Sequence, residues 1–315
     1  MSDSISSKVK AFAAITDGDW FRFLQSQREL EEVNFWQPRG NRRFTALTSG
    51  QPFLFKLHAP DNFIAGGGFF AHSSLLPVSL AWDAFMEKNG AVSLPDMRRR
   101  VEKYRRVTSD PHLDYTVGCL ILRDPFFFDR GDWVPVPADF QRQTVQGKSY
   151  DLREEPGRSL WAAVQERLRR GAGGTSAVIH EGPMYGDPRL IRSRLGQGTF
   201  RVVVTDIYQR RCAMTGEKAL PVLQAAHIRP VGEGGTHRID NGLLLRSDVH
   251  TLFDRGYVSV APNLRVRVSR RLRTDFNNGE HYYRLNDSPL FLPLAEIDRP
   301  AREFLEWHRD VKFLK

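Results

Sequence analysis

Residues 209–257 constrain the fold of this chain more than any other part of the sequence. An apolar run ends at His227, a glycine-rich connection follows, and a second apolar run begins directly after Asn241. His250 then lies on a segment with helical periodicity, and Asp254 follows four positions later. Residues four apart share one face of a helix. The pattern therefore predicts a β-hairpin followed by a helix, an arrangement that can hold one hard cation.

The letters AAHI, GG, NGLLLR and LFDRG around these residues resemble the HNH nuclease module, whose fold is known as ββα-metal. The resemblance implies that His227 is the general base, because histidine titrates near neutral pH and can take a proton from water. It implies that His250 is a metal ligand and that Asp254 is a second one. Asn241 is expected to fasten the loop that orients the base, which is compatible with an ordinary Asn-Gly turn. The predicted catalytic residues are thus His227, Asn241 and His250.

The resemblance also implies a divalent cation, which offsets the negative charge of the reacting phosphate. Mg²⁺ suits an oxygen-rich site, and a histidine ligand also admits Mn²⁺, Ni²⁺ or Zn²⁺. Many family members carry a ligand at the position of Ala226, so the rest of the ligand set, another group or water, stays open here. A structural zinc is not expected, because Cys119 and Cys212 are the two cysteines and four thiolates cannot be assembled.

Length and composition indicate the number of domains, the kind of partner and the location of the protein. A chain of 315 residues that is 41% hydrophobic predicts two domains. Its formal charge of +9 favours a polyanionic partner such as nucleic acid. No apolar run approaches the ~20 residues of a membrane span, and the N-terminus lacks the apolar stretch of a signal peptide. Two cysteines also argue against a secreted disulfide scaffold. We therefore expect a cytoplasmic protein without a membrane segment.

The N-terminal half has a different pattern, in which short aromatic and β-branched runs alternate with short helices. We predict an α+β chain whose N-terminal half is a small closed barrel. The segments at 35–40, 52–70 and 80–90 and the late FFFDRGDWVPVP resemble the PUA-like superfamily, in its EVE branch, which is related to SRA and YTH domains. The resemblance implies a domain that flips a modified base into an aromatic pocket.

The predicted pocket residues are aromatic side chains and one carboxylate near turns. They are Trp36, Phe53, Phe69, Trp82 and Asp83. The alternative for each aromatic residue is a place in the hydrophobic core, and the alternative for Asp83 is an exposed position on a helix.

Basic residues near both motifs predict contacts with the DNA backbone. Arg98, Arg99 and Arg105 belong to a strongly basic helix, for which a plain solvated face is the alternative, and Arg192 and Arg194 precede the nuclease module. The predicted domains are a modified-base reader at 1–145, a linker region with a helix at 146–195, and the nuclease with a C-terminal helix at 196–315.

The combination resembles modification-dependent restriction enzymes. It predicts an endonuclease that recognises 5-methylcytosine or 5-hydroxymethylcytosine in double-stranded DNA and hydrolyses the backbone. One HNH site cuts one strand, so a double-strand break requires a homodimer or two independent binding events. A binding protein with a degenerate, weakly active HNH fold is the alternative that Ala226 favours, and the charge does not exclude an RNA substrate.

Overall fold

Helices and strands alternate along the chain, which divides into two units, Met1–Pro188 and Arg189–Lys315. The computed structural model describes residues 9–27, 29–105, 110, 112–141, 143–171 and 195–315. Both units mix helices with strands, which confirms the predicted α+β class. Within the described residues, every helix is too short or too polar to cross a membrane.

The first unit is built around a sheet. Its strands are β1 (Lys10–Thr16), β2 (Glu32–Gln37), β3 (Pro52–Leu57), β4 (Phe63–Pro77), β5 (Thr116–Phe127), β6 (Val134–Pro135) and β7 (Gly147–Asp151). Its helices are α1 (Gly18–Gln25), α2 (Val78–Phe85), α3 (Leu94–Arg105) and α4 (Gly157–Gly171), with 3-10 turns at Met86–Asn89 and Arg130–Asp132.

The described strands form an open sheet in the order β2-β5-β4-β3-β1-β7, with β6 paired to the start of β4. β1 runs parallel to β3, and the other pairs are antiparallel. The predicted closed barrel is not formed by these strands, because β2 and β7 lie at the two edges and do not pair with each other. Alternating apolar residues predict strands, but they do not determine which edges meet.

Each face of this sheet has its own core. One face carries a cluster of aromatic rings on which Trp20 of α1 packs. α1 begins after Asp17, whose side chain accepts hydrogen bonds from the backbone N–H groups of Asp19 and Trp20. The other face holds a second hydrophobic cluster that includes Leu160 and Val164 of α4. β7 and α4, which fall in the segment predicted as a linker region, therefore pack within the first unit.

The second unit contains the hairpin and helix predicted from residues 209–257. Its strands are β8 (Leu223–His227), β9 (Gly242–Arg246), β10 (Val258–Val260) and β11 (Val266–Val268). Its helices are α5 (Gln197–Ile207), α6 (Ser247–Asp254), α7 (Arg271–Phe276), α8 (Glu280–Tyr283) and α9 (Arg302–Trp307). Short 3-10 turns lie at Leu220–Val222, Val231–Glu233, Ile239–Asn241 and Glu296–Asp298, and a π-helical turn lies at His308–Lys312.

The core of the second unit holds the hairpin against its helices. β8 pairs antiparallel with β9, and α6 begins directly after β9 ends. Leu243, Leu244 and Leu245 of β9 are fully buried. They share one cluster with Phe200 of α5 and Phe253 of α6. The strand–loop–strand–helix order predicted from the spacing is therefore confirmed.

Candidate active site

His227 occupies the last position of β8, where it pairs with Gly242 of β9. α5 packs so closely here that a Cβ atom on Gly242 would lie 2.7 Å from Cγ2 of Val204 and 3.1 Å from the ring of Phe200. The φ angle of Gly242 is −118°, so space rather than backbone conformation requires glycine. Phe200 stacks on the imidazole of His227, with centroids 4.0 Å apart and planes inclined by 7°. The hairpin and α5 together therefore fix the plane of the imidazole.

Asn241 is fully buried, and its amide ties together the loop between β8 and β9. Its Oδ1 atom accepts a hydrogen bond from the backbone N–H of Arg229 at 2.9 Å. Its Nδ2 atom donates to the carbonyl oxygens of Arg229 and Thr236, each at 2.9 Å. Its own carbonyl accepts from the N–H of Ile228. This is the geometry of a residue that fastens the loop, and its effect on catalysis stays a prediction.

His250 and Asp254 lie one turn apart on α6, and their side chains meet. Nε2 of His250 lies 3.3 Å from Oδ2 of Asp254. Nδ1 of His250 lies 2.8 Å from Oε1 of Gln224 on β8, and the amide oxygen can only accept, so Nδ1 is the donor. In the neutral ring, Nε2 therefore carries the lone pair that faces the carboxylate. Burial lowers the pKa of His250 and raises that of Asp254.

Two lone-pair atoms at this distance repel each other unless a proton or a metal ion lies between them, so the donor pair fits a divalent metal ion. Neighbouring ligands of one ion, each bound at ~2.1 Å, lie about 3 Å apart. Ala226 is fully buried and offers no donor. Among the described residues, no cluster of three or more His, Cys, Asp or Glu side chains could hold a metal ion. A cation bound by His250 and Asp254 would thus keep positions for water or for oxygen atoms of a substrate.

His227, His250 and Asp254 line one cleft of about 620 Å³. Burial is the main reason why the pKa of His227 falls to about 4, and the nearby charges of His237, His250 and Arg201 act in the same direction. His227 is consequently neutral at pH 7 and has a lone pair to accept a proton. Arg201 and Lys312 also line the cleft, and Lys312 pairs with Glu233 at 2.6 Å. A proton acceptor and a cation site in one cleft can hydrolyse a phosphodiester.

Comparison with known proteins agrees with this geometry. The sequence profile of the HNH endonuclease family matches residues 212–261. This segment is an HNH endonuclease domain. It contains the hairpin, α6 and β10, and with them His227, Asn241, His250 and Asp254. HNH endonucleases generally use a divalent metal ion, although the match does not identify which one.

The remaining comparisons are weaker. No curated protein matches the chain at a significant level. A mutant of the ZmASCH protein from Zymomonas mobilis is 14% identical, with 48% of this chain and 96% of that chain covered and a TM-score of 0.31. The modification dependent TagI restriction endonuclease is also 14% identical, with 94% of this chain and 79% of that chain covered and a TM-score of 0.26. Both TM-scores are too low to establish a shared fold.

The HNH domain contains a histidine at the site that the sequence reasoning missed. Nδ1 of His237 lies 3.0 Å from Nε2 of His227. The ring of His237 also lies 5.8 Å from that of Phe200, between centroids. The one signal in the sequence was its position four residues before Asn241, inside the loop that Asn241 fastens.

His308 has a structural role. It is buried and stacks on Phe253 with centroids 3.8 Å apart. Its Nε2 atom lies 3.1 Å from the carbonyl oxygen of Phe253, and its Nδ1 atom lies 2.9 Å from Oγ of Ser259. Since the carbonyl can only accept, Nε2 donates and Nδ1 accepts from the hydroxyl. Burial lowers the pKa of His308 to about 4, so the ring is neutral at pH 7.

In the first unit, Phe53 and Phe69 lie on opposite faces of the sheet. Phe53 is fully buried within a cluster of rings that also contains Phe12, Phe35, Phe44 and Phe55. The next side chain of β3, Leu54, points to the other face. Phe69 packs in that second cluster, where its ring lies 6.5 Å from that of Trp161. One flipped base cannot contact both rings, so a pocket containing both is wrong and Phe53 belongs to the core.

The other predicted pocket residues differ in their exposure. Trp36 is buried, its indole N–H donates to the carbonyl oxygen of Asn89 at 3.1 Å, and its ring lies 6.2 Å from that of Tyr104. Trp82 is half-buried on α2, and Asp83 beside it is exposed. Trp82 and Asp83 are therefore the members of the predicted set with the most accessible surface, together with the half-buried Phe69.

The arginines of α3 mostly serve the fold of the first unit. Arg98 and Arg105 each donate to two backbone carbonyl groups of neighbouring segments. Arg99 pairs with Asp96 and keeps 76% of its side chain exposed. The DNA-binding face predicted on this helix is thus reduced to Arg99. Arg192 and Arg194 lie outside the described residues.

Proposed function

We propose that this protein is a metal-dependent endonuclease that hydrolyses the backbone of double-stranded DNA. The supporting observation is that a neutral histidine, His227, shares one cleft with His250 and Asp254, which are the proposed cation ligands. The formal charge of +9 favours a polyanionic substrate.

In the proposed reaction, His227 accepts one proton from a water molecule as the water oxygen attacks phosphorus. The new P–O bond forms while the bond from phosphorus to the 3′ oxygen breaks, and that oxygen leaves with the electron pair and takes a proton from solvent. Phe200 keeps the imidazole plane fixed during this transfer. Asn241 holds the backbone behind His227 through the loop it fastens.

A bound divalent cation supplies Lewis-acid stabilisation for the negative charge that develops on the phosphate and the leaving oxygen. His250 and Asp254 would hold it, and Gln224 keeps the Nε2 lone pair of His250 available by accepting from Nδ1. We propose Mg²⁺ or Mn²⁺, with Ni²⁺ or Zn²⁺ as alternatives that a histidine ligand admits. Calorimetric titration with Mn²⁺ tests this assignment: His250→Ala should abolish binding, and Asp275→Asn, on α7, should leave it intact.

We further propose that the first unit selects DNA that carries 5-methylcytosine or 5-hydroxymethylcytosine by receiving a flipped base. The motifs at 35–40, 52–70 and 80–90 support this through their resemblance to the EVE branch. Trp82 and Asp83 are the proposed base contacts, because they combine an aromatic face and a carboxylate with accessible surface. Trp82→Ala should cut modified and unmodified DNA at the same rate. It should not slow the cleavage that the wild-type protein shows on unmodified DNA.

A plasmid panel tests the function. Methylated, hydroxymethylated and unmodified plasmids are incubated with the protein and Mg²⁺ or Mn²⁺, and the products are separated as supercoiled, nicked and linear forms. We expect the modified plasmids to be cut and His227→Ala to bind DNA without cutting it. His281→Ala, at an exposed histidine outside the cleft, is the matched control. Cleavage by His227→Ala at the wild-type rate would refute the assigned role.

The same panel addresses the assembly. Since one HNH site cuts one strand, we propose that a homodimer makes double-strand breaks. Linear product formed at the same time as the first nicks, together with a dimeric mass in solution, is the expected result. A monomer that accumulates nicked plasmid before any linear form contradicts it.

A binding protein with a weakly active HNH fold is the second candidate function. The observation that favours it is the fully buried Ala226, which leaves His250 and Asp254 as the proposed ligands among the described residues. Modified plasmid that is retarded in a gel but stays uncut with each of the four metal ions would favour this candidate over the nuclease.

A further inference from the structure

His237 makes the proposed base one member of a pair of imidazoles. Its Nδ1 atom lies 3.0 Å from Nε2 of His227, and both residues line the cleft. Their ring planes are inclined by 58° with centroids 5.0 Å apart, so the contact joins two ring nitrogens and is not a stacking contact. The face of the His227 ring is already occupied by Phe200. His227 is therefore held both in its plane and at one nitrogen.

The proton between these nitrogens decides which atom of His227 can act as a base. Without a metal ion between the two rings, one proton must lie there, because two N–H groups would collide and two lone pairs would repel each other. Within residues 195–315, neither ring has another hydrogen-bond partner. Nδ1 is thus the nitrogen of His227 that is left for water. A neutral imidazole has one proton, so Nδ1 can accept another only when the shared proton belongs to Nε2.

We propose that His237 is a positioning residue for the reaction: it accepts the hydrogen bond from Nε2 of His227 and so keeps the lone pair on Nδ1. The catalytic meaning of this pair rests on the proposed nuclease function. When Nδ1 takes a proton from the attacking water, the shared proton shifts towards Nδ1 of His237. The pair then carries one positive charge, spread over two rings.

The surroundings of His227 explain why a partner is useful. Burial, followed by the charges of His237, His250 and Arg201, lowers the pKa of His227 to about 4, so a full positive charge on this ring alone is unfavourable. Sharing one proton between the two rings reduces that cost. Because the rings lie so close together, a second proton on the pair is unfavourable. The other charged groups that line the cleft are Glu233, Asp254 and Lys312.

The tautomer of His227 tests the pair without any cleavage assay. In protein labelled with ¹⁵N in histidine, long-range proton–nitrogen spectra at pH 7.5 should show His227 protonated at Nε2, with the signal assigned by its loss in His227→Ala. In His237→Ala, the ring should instead populate both tautomers, because Nε2 has lost its acceptor. Protonation of wild-type His227 at Nδ1 would overturn the proposal.

Single-turnover cleavage of modified duplex DNA tests its consequence. We expect His237→Ala to be slower by roughly tenfold to a hundredfold, the range over which such supporting partners act. His237→Asn should recover part of the rate, because its side-chain oxygen can accept near the position of Nδ1. His237→Asp should move the acid limb of the pH–rate profile to higher pH, since a carboxylate favours the imidazolium form of His227. His281→Ala should match the wild type in rate and profile.

The outcomes separate this proposal from the function on which it rests. A His237→Ala variant that cuts at the wild-type rate with an unchanged profile overturns the pair and leaves the nuclease intact. If His237→Ala loses DNA affinity and cleavage rate in parallel, His237 is a DNA contact. This outcome also overturns the proposed pair. If the wild type cuts no DNA, the proposed function fails, and the tautomer measurement alone decides whether His227 and His237 are paired as described.

Discussion

Replacing Asn241 should loosen the loop that carries the site far more than it affects the rest of the HNH domain. The side chain is fully buried and makes three hydrogen bonds of 2.9 Å to the backbone of Arg229 and Thr236. Each such bond contributes about 1 kcal/mol, and groups left without partners add to the loss. Asn241→Ala should therefore cost about 3 to 5 kcal/mol. A loss of about 3 kcal/mol makes local opening roughly a hundredfold more frequent.

Hydrogen exchange followed by mass spectrometry measures this opening directly. Peptides that cover residues 228–241 should exchange about a hundredfold faster in Asn241→Ala, and the N–H of Arg229 should be among the affected amides. Peptides that cover β10 and β11 should exchange at the wild-type rate. Asn241→Asp should be no better than alanine, because its second oxygen would face the carbonyl oxygens to which Nδ2 now donates.

Asn263→Ala, at an exposed asparagine in the turn between β10 and β11, is the matched control. Unchanged exchange of the loop amides in Asn241→Ala would refute the reasoning, because it would mean that the three bonds do not hold the loop. Faster exchange throughout the unit would also contradict it, since the effect would then be global. The rate of DNA cleavage by Asn241→Ala should fall together with the protection of the loop amides.

Two further predictions concern the protonation of His308 and the space around Gly235. Burial lowers the pKa of His308 from about 6.5 to about 4, so between these values the unfolded chain binds a proton that the folded chain does not. The free energy of unfolding should fall by up to about 3 kcal/mol as the pH drops through this window, and urea titrations of His308→Asn should show a smaller fall. A Cβ atom on Gly235 would lie 1.9 Å from the carbonyl oxygen of Arg229, so Gly235→Ala should lower the melting temperature and the cleavage rate. Gly232→Ala, where a Cβ atom meets nothing within 4 Å, should change neither, and equal melting curves for the two variants would contradict this reasoning.

Local spacing predicted the strand, turn and helix that carry most of the candidate site, and the resemblance to the HNH module selected the residues. His227, Asn241 and His250 lie on a strand end, a turn and a helix that follow one another in the chain, so periodicity and turn residues were enough to place them. His237 could not be found in this way. Its contact with His227 depends on the path of a loop that the Asn241 side chain closes, and no repeating pattern encodes such a path.

The first unit shows where such reasoning stops. Alternating residues predicted strands, but the placing of β1 between β3 and β7 joins distant parts of the chain. Aromatic residues near turns suggested a pocket, yet Phe53 lies in the core because the rings of Phe12 on β1 and Phe35 on β2 pack around it. The arginines of α3 likewise find carbonyl partners outside their own helix. In each case the deciding contact is long-range.

The tight fit at Gly242 means that a change at position 242 should be accompanied by a change at position 204, although the two positions are far apart in the sequence. Glycine is needed there because Val204 and Phe200 of α5 fill the space that a side chain would take. A larger residue at position 242 should therefore be inherited only together with a smaller one on α5. In the laboratory, Gly242→Ala should be harmful alone and be partly rescued by Val204→Ala, because the carbonyl oxygen of Ile239 and the ring of Phe200 stay close to the new Cβ atom.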